Sequence, residues 1–166
     1  MSDLAEKVNR NWWIFPIVSF IGAVTCLSLV SVFGRAYLLA AVKPDLRKDI
    51  YSSLTGSSSG LLGFALAAVA ILAAFAPKVD AQGRNRRKEE ELAEARSDIA
   101  KCLLVTSAFL MVILVASTVG IGADAGREGN PVLSVLVVAA GFASLIGLLI
   151  SGLGVTLSIL ERNSLR

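Results

Sequence analysis

The sequence predicts an all-α, polytopic membrane protein with four transmembrane helices, the third of which extends into the cytoplasm. The chain, residues 1–166, is expected to form a single domain. It is 55% hydrophobic and 17% charged, whereas soluble domains average about 45–50% apolar and about 25% charged residues. Its charges occur in blocks that leave long uncharged stretches, which is typical of segments that span a membrane.

The first span is predicted at about residues 12–33, where two tryptophans and a phenylalanine suit the headgroup boundary. Pro16 lies in its first turn, where a missing amide hydrogen does little harm. The apolar character continues through residues 37–42 with only Arg35 interrupting. We therefore expect this helix to emerge beyond the membrane and to be broken at Pro44.

The second span is predicted at about residues 57–76, ending before Pro77, and the third at about 99–121. Between them lies the most polar part of the chain, including the charged segment 84–98. No helix breaker occurs from Arg87 into the third span. A single helix is therefore predicted to begin in water and to enter the lipid near residue 99.

The fourth span is predicted at about residues 131–160, with Asn130 as the N-cap and Pro131 at the first helical position. This uncharged stretch corresponds to about 45 Å of helix, which exceeds a hydrocarbon core of about 30 Å. The helix is therefore expected to tilt, to bend at its glycines or to extend past the surface.

The distribution of lysine and arginine predicts the topology, because cytoplasmic loops carry an excess of these residues. Eleven of them lie in the termini and the second loop, and five lie on the opposite side. Both termini and the charged loop are therefore expected in the cytoplasm, with the chain in a bacterial inner membrane. The five residues on the opposite side are Arg35, Lys43, Arg47, Lys48 and Arg127.

Residues 56–60 formally match the G-x-S-x-G pattern that presents a nucleophilic serine. The chain contains no histidine, so Ser58 has no usual general base. We expect no catalytic residue and no enzyme activity. Ser57, Ser58 and Ser59 are instead expected to cap the first amides of the second helix.

Cofactor, metal and nucleic-acid sites are not expected either. The stretch Gly120–Ala125 imitates G-x-G-x-x-A, but it follows a membrane helix instead of a strand. Cys26 and Cys102 have no metal-ligand spacing and are expected to be inert packing thiols. No charged residue lies in the middle of a span, which argues against proton-driven transport and voltage sensing. The basic residues flank the spans, so lipid headgroups are the expected counterions.

Small residues recur at alternating intervals of four and three in spans two and four. Such spacing places them along one seam of a left-handed helix pair, and small residues let helix backbones approach closely in lipid. Two interpretations stay open: packing within one four-helix bundle, or contact between subunits of a homo-oligomer. The seam residues are Gly56, Gly60, Gly63, Ala67 and Ala70 in span two and Ala140, Ser144, Gly147, Ser151 and Gly154 in span four.

Three hydroxyl residues lie along the first span at intervals of three: Thr25, Ser28 and Ser31. Hydroxyls can line a water-filled pore, but they also donate hydrogen bonds to carbonyls of their own helix. The row is therefore a candidate pore lining with a structural alternative.

The charged helix carries a narrow apolar stripe of Leu92, Ala95 and Ile99, beside Arg96. The segment either is simply solvated or docks a soluble cytoplasmic protein or a neighbouring subunit. The expected function is a non-enzymatic, homo-oligomeric inner-membrane protein that presents this helix to a partner, as membrane subunits of sensing, defence or secretion systems do. The alternative is an oligomeric ion channel lined by the hydroxyls of span one.

Overall fold

A computed structural model of the chain describes residues 13–34, 38–74, 85–124 and 129–164. The side chains of residues 32–38, 40, 85–92, 94–95 and 157–164 also lie outside this description. Within it, the chain is helical and contains no strand, as predicted. The elements are α1 (Ile14–Gly34), a short 3-10 helix (Leu38–Ala41), α2 (Pro44–Ala74), α3 (Asn85–Ala123) and α4 (Pro131–Ser164).

Each of the four long helices contains a stretch long and apolar enough to cross a membrane, which confirms the prediction of four such helices at the level of length and composition. These stretches are Ile14–Ser31, Pro44–Ala74, Arg96–Ala123 and Pro131–Thr156.

The predicted continuation of the first helix differs at Leu38–Ala41, which form the 3-10 helix instead of further turns of α1. Residues 35–37 lie outside the described residues. The backbone amide of Leu39 donates to the hydroxyl of Ser134 on α4, at 3.0 Å. This contact holds the short helix against the start of α4.

The second helix begins thirteen residues earlier than predicted, at Pro44 instead of residue 57. Proline is favoured in the first turn of a helix because its missing amide hydrogen has no partner there, and Asp45 suits the same turn. The prediction that Ser57–Ser59 cap this helix is therefore wrong. These serines lie in the middle of α2, because α2 begins at Pro44, which was predicted only to end the preceding helix.

The start of α4 agrees with the sequence. The side-chain oxygen of Asn130 accepts hydrogen bonds from the amides of Val132 at 3.0 Å and Leu133 at 3.4 Å. Asn130 is thus the N-cap and Pro131 the first helical residue, as predicted. The third helix, α3, extends over Asn85–Ala123.

The helices pack in the spatial order α1, α4, α3, α2. The long helices α3 and α4 pair along their length, while α2 packs on α3 and α1 on α4. Among the described residues, α1 and α2 have almost no contact with each other, and each outer helix leaves a broad face uncovered. The core lies between α2, α3 and α4 and is centred on Tyr51, Leu110, Ile113, Ala116, Val137 and Ala140.

Candidate functional site

The seam of small residues on α4 is buried within the chain. Ala140, Ser144 and Ser151 are at most 4% exposed. A β-carbon added at Gly147 would collide with Thr106 on α3. One added at Gly154 would lie 3.2 Å from Ile99, which is also on α3. These small residues therefore allow close packing of α3 against α4.

The corresponding seam on α2 has no such partner among the residues that the structure describes. Gly56, Gly60 and Gly63 are exposed, and a β-carbon added at any of them would meet no atom within 4 Å. Ala67 and Ala70 are exposed as well. We refer to these five residues as the α2 seam.

The α2 seam lies on the side of its helix that faces away from the chain. The residues of α2 that are buried against the core include Tyr51, Ser58 and Ala65, which are at most 3% exposed. At about 100° of rotation per residue in an α-helix, Gly56 and Gly63 lie about 140° and 120° around the helix from Tyr51. Two seams with the same sequence spacing therefore have different surroundings, one within the chain and one outside it.

A buried polar cluster lies where α2 begins and α3 ends. The Nε atom of Arg47 lies 3.3 Å from Oδ2 of Asp124, and their side chains are 1% and 3% exposed. The hydroxyl of Tyr51 donates to the same carboxylate oxygen at 3.2 Å. Opposite charge and a hydrogen bond compensate these groups for the loss of water.

The carboxylate of Asp124 also contacts the start of α4. Its Oδ1 atom accepts a hydrogen bond from the backbone amide of Asn130 at 2.8 Å. The ring of Tyr51 packs directly over Gly120, where an added β-carbon would lie 2.8 Å from Cε2 of the ring. One carboxylate thus joins three helices, and glycine is the residue that lets the tyrosine approach.

Sequence reasoning missed this cluster because it placed Arg47 in a loop. Two signals were present: Pro44 followed by an acidic residue marks a helix start, and Arg47 and Tyr51 are then four residues apart on one face. Asp124 directly follows residues 102–123, which carry no charge. Pairing residues 77 positions apart, however, needs the tertiary structure.

An apolar groove of about 640 Å³ runs between α2, α3 and α4. Leu62 and Leu66 of α2, Met111 and Val115 of α3, and Leu133 and Leu136 of α4 are among its lining residues.

The hydroxyl row of α1 turns around its helix. Thr25 and Ser28 are exposed, whereas Ser31 is half-buried, because steps of three residues rotate by about 300° and so drift by about 60° each. The Thr25 hydroxyl donates to the carbonyl of Ile21 at 2.8 Å, which is the local bonding expected of hydroxyls in helices. Thr106, Ser107 and Thr118 of α3 bond to their own helix in the same way.

The structure describes only part of the predicted docking stripe, because the side chains of Leu92 and Ala95 lie outside the described residues. Arg96 and Ile99 are half-buried, and Ile99 lies against Gly154 of α4. At least this end of the stripe therefore belongs to a contact within the chain.

Ser58 lies inside a continuous helix and is 3% exposed. A nucleophile elbow requires a sharp turn between strand and helix, so residues 56–60 do not form one. Cys102 is buried, and its thiol donates to the carbonyl of Gly147 at 3.7 Å, whereas Cys26 is exposed.

Comparisons of the chain with protein-family models, with curated proteins and with solved structures found no match.

Proposed function

We propose that the chain is a non-enzymatic integral membrane protein that assembles into a homo-oligomer through the α2 seam. It spans a bacterial inner membrane four times, with both termini in the cytoplasm, and its charged α3 segment docks a soluble cytoplasmic partner. This places it among membrane subunits of sensing, defence or secretion systems by analogy.

The observation that carries the proposal is the exposure of Gly56, Gly60 and Gly63 on the outer face of α2. Glycine within a helix costs roughly 0.5–1 kcal/mol relative to alanine. Among the described residues of a single chain, none uses the space that these glycines leave open. Because close backbone approach is a main source of helix association in lipid, a helix of a second copy gives them a packing role.

The buried ion pair supports the proposed orientation. Arg47 is one of the five cations that the topology count assigns to the extracytoplasmic side, yet it is buried and paired with Asp124. A neutralised cation has little influence on topology, which is set by free lysine and arginine near the span ends. The excess of cations on the proposed cytoplasmic side is therefore larger than the sequence count suggests.

Assembly is tested by the oligomeric mass of Gly60→Leu and Gly63→Leu variants in lipid nanodiscs or by photobleaching in bilayers. Both variants should shift the protein towards monomers, since the single chain has room for the new side chains. Gly152→Leu is the matched control, because Gly152 is an exposed glycine on α4 with equal space around it. A wild-type mass for both seam variants would refute assembly through α2.

Partner docking is tested by native co-purification. Replacing Leu92 with Asp should release a soluble partner, whereas Ser97→Asp adds the same charge at an exposed position on another face of the helix and should not. Equal retention by both variants would contradict docking on this stripe.

The channel alternative uses the exposure of Thr25 and Ser28, which in an oligomer can line a lumen between copies. Liposome flux decides between the two functions. Flux that is abolished by Ser28→Leu would favour the channel, and the absence of flux from a verified oligomer would leave the docking function.

A further inference from the structure

The contact between Arg47 and Asp124 joins the first turns of the outer helix α2 to the end of the central helix α3. Both side chains are almost completely buried, at 1% and 3% exposure. A buried ion pair compensates for lost hydration only when its geometry is well defined. The pair therefore specifies one position of the first turns of α2 relative to the end of α3.

The carboxylate extends this specification to α4. Its two oxygens have different partners: Oδ2 receives the Tyr51 hydroxyl and faces Arg47, and Oδ1 receives the amide of Asn130. Asn130 in turn caps α4. Hydrogen bonds and ion pairs are directional, so α2, α3 and α4 are held in register at this one group.

Further along, α2 is less constrained. No charged residue follows Lys48 and Asp49 in α2, so its contact with the core beyond Tyr51 has no second ion pair. That contact is made by Ser58 and Ala65, which are buried, and by the half-buried Leu54 and Leu62. On one side of that contact lies the groove of about 640 Å³, lined by Leu62 and Leu66 of α2. The helix thus has a specific attachment at one end and free space along its flank.

We propose that Asp124 is a latch that sets the tilt and rotation of α2, and that α2 moves into the flanking groove when the latch is broken. The device is a property of the single chain and does not depend on assembly. It gives the chain two arrangements of its outer helix, one latched and one released.

Spin-label distances test the latch directly. Labels are placed at the exposed positions Ser53 on α2 and Leu145 on α4, in a background in which Cys26 and Cys102 are replaced by Ser and Ala. The distance distribution is then compared for Asp124→Asn and for the double variant Arg47→Met/Asp124→Leu, which removes the latch without leaving a buried unpaired charge.

Both variants should show a distribution at least twice as wide as the background protein, or a second distance peak. Asp98→Asn is the matched control. It breaks the Asp98–Lys101 pair at the surface of α3 and should leave the width of the distance distribution unchanged. A background-like distribution in the double variant would show that apolar packing alone positions α2 and would overturn the latch. If Asp124→Asn fails to fold, the double variant alone decides.

Discussion

Thr106 on α3 occupies the space that a β-carbon at Gly147 of α4 would need. Its hydroxyl donates to the carbonyl of Cys102 at 2.8 Å, so the threonine has a satisfied polar group in this tight contact. Among the glycine contacts between the two central helices, this pair marks the closest approach.

Replacing Gly147 with Ala should therefore destabilise the chain. Overpacking of a close contact costs about 1–3 kcal/mol, which outweighs the gain in helix propensity of about 1 kcal/mol or less. Gly141→Ala is the control, since a β-carbon there meets nothing within 4 Å. Unfolding equilibria in detergent should show a loss for Gly147→Ala and a small gain for Gly141→Ala; the same sign for both would contradict the packing account.

Asp124→Asn should be much more destabilising than the loss of both charges. Removal of one partner from a buried ion pair costs about 3–5 kcal/mol because the remaining buried charge loses its counter-charge, whereas replacing both with apolar residues is often neutral. The free energy of unfolding of Asp124→Asn, Arg47→Met and Arg47→Met/Asp124→Leu measures this difference. Additive losses in the double variant would mean that the two residues act independently.

Asn130→Ala should cost about 1 kcal/mol in unfolding free energy, since an alanine at the N-cap leaves the first amides of α4 without an acceptor. Asn130→Asp retains a side-chain acceptor and should largely preserve stability. Because the backbone amide of Asn130 also contacts Asp124, a loss well above 2 kcal/mol would indicate that the cap and the polar cluster are coupled.

Cysteine labelling in intact cells should separate the two sides of the membrane. A cysteine at Lys43, which is exposed just before α2, should react with an impermeant maleimide from outside. A cysteine at Gln82, in the sequence before α3, should react only after permeabilisation. The reverse pattern would invert the proposed topology.

The helices were predictable from sequence because uncharged stretches and their breakers are local signals. The N-cap at Asn130 is a feature of this kind. The start of α2 was predicted wrongly because a proline such as Pro44 is compatible both with the end of one helix and with the first turn of the next. The burial of Arg47 was not predicted, because it depends on the carboxylate of Asp124, which lies 77 residues further along the chain.

The two seams show the same limit. Spacing in the sequence identified small residues on α2 and α4 equally well, but spacing contains no information about which helix lies opposite. Thr106 and Ile99 cover the α4 seam, whereas no other described residue lies within 4 Å of a β-carbon added at the glycines of the α2 seam. That distinction arises from the spatial order of the helices.

The same spatial order has a consequence for biogenesis. Because α1 packs on α4 and has almost no contact with α2 among the described residues, the first two helices cannot form a packed hairpin as they leave the ribosome. Almost a hundred residues separate Gly34 from Pro131, so α1 stays without its main neighbour until the last helix is synthesised. During that interval lipid or an insertion factor must shield α1, and chains truncated before α4 should be substrates for membrane quality control.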